Sequence, residues 1–438
     1  MIKKTNVKQK FEKEIKTMAN SCSLEFHRAQ EGKSDYTDEL AEKFAAEAGG
    51  LAPRPNEQKD ETNERGVFVR QPNSFIVPFG DKEGEHKAEA NRFAIYWAHG
   101  CNWSNRPVIA RDLLGLQDVI ADQTTSHSGE TNKYGHGFAD QKDYKDPITG
   151  VHFLSEFYKN ANPEYKGRAT TPTFVDVIEK KAVNNDYHRL SNYIEVQFRK
   201  FQPVDAPDLY PKKYRKEIDE FNDWLFPHIN NGHYRMAFGV SWEAYNEGYE
   251  DFFDSLEKLD KRLETNRFIF GDYITDSDIR AYVSLVRWET GYFRSIGPMK
   301  KRITEYKNIW GYIRELYSIP TFAKYTFFRE GRGIGDRGGF FKGYEERIVP
   351  LIPFEELWKT DHERAKLSAD PENLFLKHPA GETPEDYQSE ISKTIWNSPS
   401  WEDREPTNYR PDFDVTVNPL KGLLKNEPES KEIKKKVS

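Results

Sequence analysis

One cysteine lies where the sequence could make its sulfur reactive. Cys101 follows the apolar run Phe93–Trp97, which predicts a buried strand. Residues 106–114 then predict a helix, with Pro107 near its start. At the beginning of a helix, unpaired backbone N–H groups and the helix dipole favour a thiolate over a thiol, and Arg106 would add positive charge nearby. We therefore predict that Cys101 is a nucleophile toward thioethers and disulfides, rather than a small buried side chain without chemistry.

Cysteine usage limits the chemistry that Cys101 could perform. The chain has two cysteines, and the other is Cys22 in a charged N-terminal stretch. No second cysteine lies three residues from Cys101, so a dithiol cycle is excluded and an external thiol must resolve any adduct on the sulfur. Two cysteines in 438 residues also exclude a disulfide framework and favour a cytoplasmic protein with reduced thiols.

The composition excludes several classes of function. A formal net charge of −7 leaves no electrostatic footprint for binding nucleic acid. The sequence contains no run of about 18 apolar residues, so no membrane span is expected, and the N-terminus lacks the apolar core of a secretory signal. His99 and His136 do not have the spacing of metal ligands, so we predict no metal site.

The elements around Cys101 predict two domains with additions at both ends. A strand candidate at residues 173–177 directly follows Pro172, and from Ser191 onward the pattern becomes helical. Thr275 and Asp278 have the spacing of a capping box at the start of a helix. The length of 438 residues fits two domains plus appendages. The predicted divisions are an N-terminal extension over residues 1–64, a mixed α/β domain over 65–192, an all-helical domain over 193–353 and a largely irregular tail over 354–438.

Several ordered motifs resemble those of one known family. Cys101-Asn-Trp-Ser-Asn-Arg106 is similar to the family's Cys-Pro-Trp-Ala-His-Arg, and Tyr165-Lys-Gly-Arg-Ala-Thr-Thr-Pro172 is similar to its Tyr-x-Gly-Arg-x-Thr-Val-Pro. The stretches 65–75, 230–234 and 285–292 match further patterns of that family. On these motifs the chain resembles the glutathionyl-hydroquinone reductases, the Xi class of glutathione transferases, over roughly residues 65–353.

This resemblance implies a fold and a reaction. The fold is an α/β thioredoxin-like domain followed by the all-α C-terminal domain of glutathione transferases, with extended termini. The substrate is a quinol-type compound, from which Cys101 takes glutathione as a mixed disulfide, and a second glutathione then releases glutathione disulfide. Tyr234 and Tyr292 match family tyrosines of the active site, and Tyr234 would hold the substrate's phenol oxygens or help to move the proton. The family also implies a homodimer.

The resemblance further implies where the thiol binds. Pro172 would be the cis-proline of the thioredoxin-like fold, and the backbone of Thr171 would pair with the cysteinyl unit of glutathione as an added strand does. Trp103 would shape the thiol pocket. Asp186 and Tyr187 lie where the family has Glu-Ser, the pair that receives the γ-glutamyl end of glutathione.

Three departures from the family pattern leave other hypotheses open. The proline and the histidine of the family's cysteine motif are Asn102 and Asn105 here, and Asn102 would either donate a hydrogen bond toward the sulfur or begin the helix. Tyr187 replaces a small hydroxyl residue, which allows a different low-molecular-weight thiol. The glycine-rich residues 329–344 replace an aromatic segment of the family. The alternatives are therefore use of another thiol, cleavage of an aryl ether or halide on the same scaffold, or a binding protein without turnover.

Overall fold

The structure is a computed structural model, and it describes most of the two predicted domains and parts of both ends. The described residues are 36–54, 61–125, 133–296, 299–327, 354–384, 394–406 and 412–426, together with residues 391 and 409. Cys22 and the glycine-rich segment 329–344 lie outside this set. Within the described residues, no helix combines the length and the apolar character needed to cross a bilayer.

A four-stranded mixed sheet forms the centre of the first half. Its strands are β1 (Phe93–Trp97), β2 (Ala121–Thr124), β3 (Thr173–Asp176) and β4 (Lys181–Asn184). They are arranged in the order β2-β1-β3-β4, with β1 parallel to β2 and the other two pairs antiparallel. All residues of β1 and β3 are buried because both faces of the sheet are covered.

Three helices complete this half, in the chain order strand, helix, strand, helix, strand, strand, helix. They are α2 (Asn102–Leu113), α3 (Leu154–Ala161) and α4 (Leu190–Gln197). Side chains of a strand alternate between its faces. Ile95 and Trp97 accordingly join the core formed with α2, α4 and the later helices, whereas Ala94 and Tyr96 pack with the apolar residues of α3. This arrangement agrees with the predicted thioredoxin-like domain.

Helix α2 begins earlier than the sequence predicted. We expected it to start at residue 106, but Cys101 is its N-cap and Asn102 its first residue. The reason is that the Cys101 carbonyl accepts hydrogen bonds from the backbone N–H groups of Ser104 (3.1 Å) and Asn105 (3.2 Å), which close the first turn. Pro107 therefore lies in the second turn, where its ring nitrogen cannot donate to a preceding carbonyl. The helix ends before Gly115 (φ +66°), as predicted.

The second half is helical. Its helices are α5 (Arg215–Leu225), α6 (Gly232–Phe238), α7 (Trp242–Leu263), α8 (Asp276–Thr290), α9 (Lys307–Tyr317) and α10 (Pro320–Lys324). A π-helical turn, Phe226–Asn230, joins α5 to α6, and a 3-10 turn, Tyr292–Ser295, follows α8. Helix α2 packs against α8 and α4, so the helical half covers the start of the helix that carries Cys101.

The predicted capping box begins helix α8. The backbone N–H and the hydroxyl of Thr275 both donate to the Asp278 carboxylate, at 2.8 and 3.0 Å. That carboxylate also accepts from the backbone N–H of Ile269 (2.9 Å) and from the hydroxyl of Tyr312 (2.9 Å). Four donors on one buried side chain fix the start of α8 relative to the preceding loop and to α9.

Both terminal segments pack onto the two halves. Helix α1 (Asp38–Glu47) buries Phe44 beside Tyr134 and Phe153 of the first half. After the helical half, the described parts of the chain include α11 (Phe354–Trp358) and α12 (Trp401–Arg404). The tail contributes buried apolar side chains to the main core, among them Trp358, Leu376, Trp396, Val415, Leu420 and Leu424. Its described residues are mostly irregular, but they belong to the packed protein.

Replacing Thr275 by alanine should lower the free energy of unfolding by about 1–2 kcal/mol, because α8 loses its N-cap hydroxyl. The measurement is urea unfolding followed by circular dichroism. Val204→Ala is the matched control, since this side chain is 96% exposed and its removal should leave the midpoint unchanged. Equal midpoints for the two variants would contradict the capping role.

Candidate active site

Cys101 lies at the point where the sheet meets the start of α2. Strand β1 ends at Trp97, a short turn follows, and Cys101 adopts an extended conformation as the N-cap of α2. Its side chain is partly exposed, and its sulfur lies 3.5 Å from the backbone carbonyl oxygen of Thr171. The structure thus places the sulfur at the positive end of a helix dipole, as predicted. Among the described residues, Cys101 is the single free cysteine.

The loop before β3 brings Thr171 to the sulfur. The Thr171–Pro172 peptide bond is cis, as the resemblance implied. The hydroxyl of Tyr158 on α3 donates to the carbonyl of Thr170 at 3.1 Å and lies 2.6 Å from the Thr173 hydroxyl. The loop is therefore held from the opposite face of the sheet, and the backbone beside Cys101 is fixed.

Tyr234 and Tyr292 meet over the cysteine turn. Their hydroxyl oxygens lie 2.8 Å apart. The Tyr234 hydroxyl is 3.5 Å from the side-chain carbonyl of Asn102, and the Tyr292 hydroxyl is 3.5 Å from the backbone carbonyl of Gly100. Burial, followed by the proximity of Tyr234, raises the pKa of Tyr292 well above the usual value. Like an ordinary tyrosine, this phenol is protonated at neutral pH and can donate a hydrogen bond.

The ring of Trp103 is flanked by two guanidinium groups. The Arg70 guanidinium carbon lies 5.0 Å and that of Arg106 4.8 Å from the ring centroid. The indole also packs against the rings of Tyr187 (5.1 Å) and Tyr234 (5.7 Å). Trp103 is buried, and its contacts connect the rings of Tyr187 and Tyr234 to the first turn of α2.

Arg70 is a site residue to which sequence reasoning gave no role. Its guanidinium lies 4.3 Å from the centroid of Tyr234, and its Nε donates to Asn231 at 2.8 Å. Burial works to lower the pKa of Arg70, but Tyr187, Tyr234, Glu61 and Cys101 together outweigh this effect and raise the pKa overall. Cys101 acts in the same direction, because a thiolate attracts the guanidinium. The sequence feature that could have identified Arg70 is its position as an arginine directly after the apolar residues 67–69, within a stretch that resembles the family.

Arg106, which the sequence placed near the sulfur as a source of positive charge, is buried without full hydrogen bonding within the described part of the chain. Its side chain is buried, and its Nε and Nη2 atoms have no hydrogen-bond partner among the described residues. Burial lowers the pKa of Arg106 to about 9, and the neighbouring charge of Arg280 acts in the same direction. Arg106 still carries its proton at neutral pH, but the cation is held at an energetic cost.

Tyr187 packs on the ring of Trp103, and Asp186 directly precedes Tyr187 in the chain. Asp186 is 3% exposed and accepts from the Asn73 side chain (3.3 Å) and from the backbone N–H of His188 (3.1 Å). Burial raises the pKa of Asp186 and raises that of Tyr187 to about 12. Tyr187 contacts the ring of Trp103 directly, whereas Asp186 is connected to Trp103 through Tyr187, its neighbour in the chain.

The two departures in the cysteine motif have structural reasons. Asn102 begins the helix and donates to the Ser284 hydroxyl on α8 at 3.2 Å, while its carbonyl faces Tyr234. Asn105 is buried and donates to the backbone carbonyl of Tyr325 at 3.1 Å. Both amides thus connect α2 to the helical half. The substituted segment 329–344 lies outside the described residues.

No metal-binding group emerges from the described part of the chain. There, no set of three or more His, Cys, Asp and Glu side chains is placed to hold an ion. The predicted non-ligand His99 stacks on Phe327, with ring centroids 4.3 Å apart.

Comparison with known proteins agrees with this geometry. The family model for the C-terminal domain of glutathione S-transferases matches residues 243–315. The glutathionyl-hydroquinone reductase YqjG of Escherichia coli is 31% identical over 307 residues, which cover 67% of this chain and 90% of the relative. The glutathionyl-hydroquinone reductase PcpF of Sphingobium chlorophenolicum is 32% identical over 263 residues, or 59% of this chain and 81% of the relative.

Solved structures show the same similarity. The Xi glutathione S-transferase of Phanerochaete chrysosporium superposes with a TM-score of 0.62 at 28% identity, covering 69% of this chain and 98% of that one. The glutathione-bound structure of E. coli YqjG gives a TM-score of 0.58 at 28% identity, covering 68% of this chain and 97% of that one.

Fold and site together define a glutathione transferase, with a thioredoxin-like domain followed by an all-helical domain. The predicted fold class is thus confirmed. More narrowly, the chain belongs to the glutathionyl-hydroquinone reductase family, the Xi class of glutathione transferases.

Replacing Arg70 by methionine should slow the alkylation of Cys101 by iodoacetamide at neutral pH by about 3- to 10-fold, because a positive charge near the sulfur is lost. The rate is measured by mass spectrometry of the peptide that contains Cys101.

Arg65→Met is the matched control for this experiment. Arg65 lies in the same stretch, but it is largely exposed and pairs with Glu247 and Glu405 instead. Equal alkylation rates for the two variants would contradict an electrostatic effect of Arg70 on the Cys101 sulfur.

Proposed function

We propose that this protein is a thiol-dependent reductase that removes glutathione from glutathionyl-hydroquinones, with Cys101 as the nucleophile. The observation that carries the proposal is a partly exposed sulfur at the N-cap of α2, with two mutually hydrogen-bonded tyrosine hydroxyls beside its chain neighbours Gly100 and Asn102. The names of the E. coli and Sphingobium relatives, both glutathionyl-hydroquinone reductases, support the same reaction.

The proposed reaction proceeds in two steps, and in each step a thiolate attacks a sulfur atom. The Cys101 thiolate attacks the sulfur of the glutathionyl group, so that an S–S bond forms and the aryl C–S bond breaks. The electron pair of the C–S bond remains on the ring carbon, which takes up a proton and leaves as part of the hydroquinone. The thiolate of a second glutathione then attacks the mixed disulfide, which releases glutathione disulfide and restores Cys101.

Tyr234 and Tyr292 are proposed to assist the carbon protonation. Both hydroxyls lie near the backbone turn that carries the sulfur, so a substrate bound over this turn would lie within reach of both. In the substrate complex, Tyr234 would then contact a phenol oxygen or pass a proton to the ring carbon.

Thiol binding is proposed to follow the family pattern on the same turn. The backbone of Thr171 would pair with the cysteinyl unit, since its carbonyl already lies 3.5 Å from the sulfur. Trp103 and Tyr187 would contact the thiol, and Asp186 would face its amino end. A homodimer, acting without a metal, is part of the same proposal.

A second candidate function is the same chemistry with a different low-molecular-weight thiol. The observation that favours it is the packing of the Tyr187 phenol on Trp103, where the family places a small hydroxyl residue. Together with the buried carboxylate of Asp186, the phenol ring of Tyr187 would leave less space for the amino end of the thiol.

Replacing Cys101 by serine should abolish the release of hydroquinone from a glutathionyl-hydroquinone in the presence of added thiol, because serine cannot form the mixed disulfide. Cys22→Ser is the matched control and should keep full activity. Intact-mass spectrometry after incubation with different thiols under mild oxidation should show the adduct at Cys101 in the wild type and in Cys22→Ser but not in Cys101→Ser, and the added mass identifies the thiol. Turnover that persists in Cys101→Ser would exclude the assigned nucleophile.

Replacing Tyr234 by phenylalanine should lower kcat by about 10²-fold, the usual contribution of a positioned proton-transfer group. The aromatic contacts with Trp103 and Arg70 are retained in this variant. Tyr249→Phe is the control, because this residue packs on Tyr245 and Phe253 of α7 instead. Unchanged kcat in Tyr234→Phe would assign proton transfer to another group.

A further inference from the structure

Arg70 is held in the active site through both its side chain and its backbone. Its Nε donates to the buried side chain of Asn231 at 2.8 Å, and its guanidinium lies 4.3 Å from the ring centroid of Tyr234. Its backbone carbonyl accepts a hydrogen bond from the guanidinium of Arg404 in the C-terminal tail. A residue 334 positions later in the chain therefore contacts the backbone of a residue of the site.

The side chain of Arg404 is oriented by its own short helix, α12. It is 5% exposed, and its Nε donates to the backbone carbonyl of Ser400 at 3.1 Å. Its guanidinium carbon lies 4.5 Å from the ring centroid of Trp401. Arg404 also lines a small enclosed space together with Arg70 and Phe226. The donor to the Arg70 carbonyl is therefore placed by several contacts and is not a freely moving surface group.

The tail segment that carries Arg404, residues 394–406, is anchored on both sides of this arginine. Before it, Trp396 is buried against the ring of Phe226, with centroids 5.1 Å apart. Directly after it, the Glu405 carboxylate pairs with Arg65 at 2.9 Å. Replacing the single side chain of Arg404 should therefore leave the rest of the segment attached.

The stretch around Arg70 is also fixed on both sides of that residue. The backbone N–H of Val69 donates to the carbonyl of Glu61 at 2.8 Å, and that of Gln71 donates to the Glu61 carboxylate at 3.2 Å. A backbone carbonyl that loses its donor in an enclosed space is costly, so the peptide group turns toward another donor. Loss of the Arg404 side chain should therefore shift Arg70 locally without unfolding the stretch.

We propose that Arg404 is a positioning residue of the active site, which holds the Arg70 guanidinium against the ring of Tyr234. The inference rests on the proposed function, in which Tyr234 contacts the phenol oxygen of the substrate or passes a proton to its ring. A cation beside the ring favours negative charge on the phenol oxygen, and this assists proton donation by Tyr234. The consequence is that the C-terminal tail, which lies beyond the family resemblance, contributes to the rate of the reaction.

The test is a double-mutant cycle on the full chain with Arg404→Met and Arg70→Met, in which kcat and KM are measured for release of hydroquinone from a glutathionyl-hydroquinone. Arg404→Met should lower kcat about 3- to 10-fold and change KM less than about twofold, because a displaced Arg70 acts on the chemical step. In the Arg70→Met background, Arg404→Met should change kcat less than about twofold. An unchanged kcat in Arg404→Met, or equal losses in both backgrounds, would overturn the proposal.

Two further variants separate positioning from a general loosening of the tail. Arg404→Gln is too short to reach the Arg70 carbonyl, but its amide can keep the bond to Ser400, so it should repeat the coupling and carries the test if Arg404→Met does not fold. Arg364→Met is the matched control, because it also removes a buried tail guanidinium that donates to backbone carbonyls, here at the end of α7. It should leave kcat unchanged. A similar loss of kcat in Arg364→Met would overturn the specific role of Arg404.

Hydrogen exchange distinguishes failure of this inference from failure of the proposed function, because it needs no turnover. Mass spectrometry of the peptide over residues 68–73 should show about 3- to 10-fold faster amide exchange in Arg404→Met than in the wild type or Arg364→Met. Unchanged exchange would overturn the positioning role of Arg404. Absence of hydroquinone release by the wild type with every thiol would instead contradict the reductase reaction, and the exchange rates would still decide whether Arg404 holds Arg70.

Discussion

The burial of helix α2 is the constraint on which the rest of the structure depends. Every residue from 102 to 111 is buried, including five that carry polar side chains at the start of the helix or facing its neighbours. Buried polar groups require partners, and the helical half supplies them for the amides of Asn102 and Asn105 at Ser284 and at the carbonyl of Tyr325. The Nε and Nη2 atoms of Arg106 have no such partner among the described residues. The sulfur of Cys101 lies at the N-terminal end of this helix and stays partly exposed.

The same constraint explains why two halves are needed for one site. The thioredoxin-like half provides the cysteine turn and the loop with Thr171, but the aromatic wall comes from Tyr234 on α6 and Tyr292 after α8. Arg70, from the stretch before the sheet, reaches across to Asn231 at the start of α6. The chemistry of the sulfur therefore depends on contacts between residues that are far apart in the chain.

Local signals in the sequence predicted much of this arrangement. The apolar run of β1, the capping box of α8 and the position of Cys101 at a helix start depend on neighbouring residues, and the structure confirms them. The start of α2 was wrong because Pro107 was taken as a first-turn residue. Arg70 was missed because its role arises from contact with Asn231, 161 positions later. The buried tail aromatics were also not predicted, since they lack periodic spacing.

Departures from a family motif can be interpreted once their partners are known. Asn105 takes the position of the family's histidine but bonds to the backbone near α10. Asn102 takes the position of the family's proline and bonds to α8. Both replacements sit at the junction between the halves, so they change how α2 is held and leave the cysteine at its N-cap.

The packing of Arg364 bears on where this protein can be shortened. Its guanidinium donates to the backbone carbonyls of Leu263 and Arg267 at 2.9 Å, which satisfies acceptors at the C-terminal end of α7. A recombinant fragment that stopped at residue 353, where the family resemblance ends, would leave those acceptors buried without a donor and would uncover the core around Tyr317 that Trp358 covers. The predicted end of the family resemblance, at about residue 353, is therefore not expected to be a folding boundary in this chain.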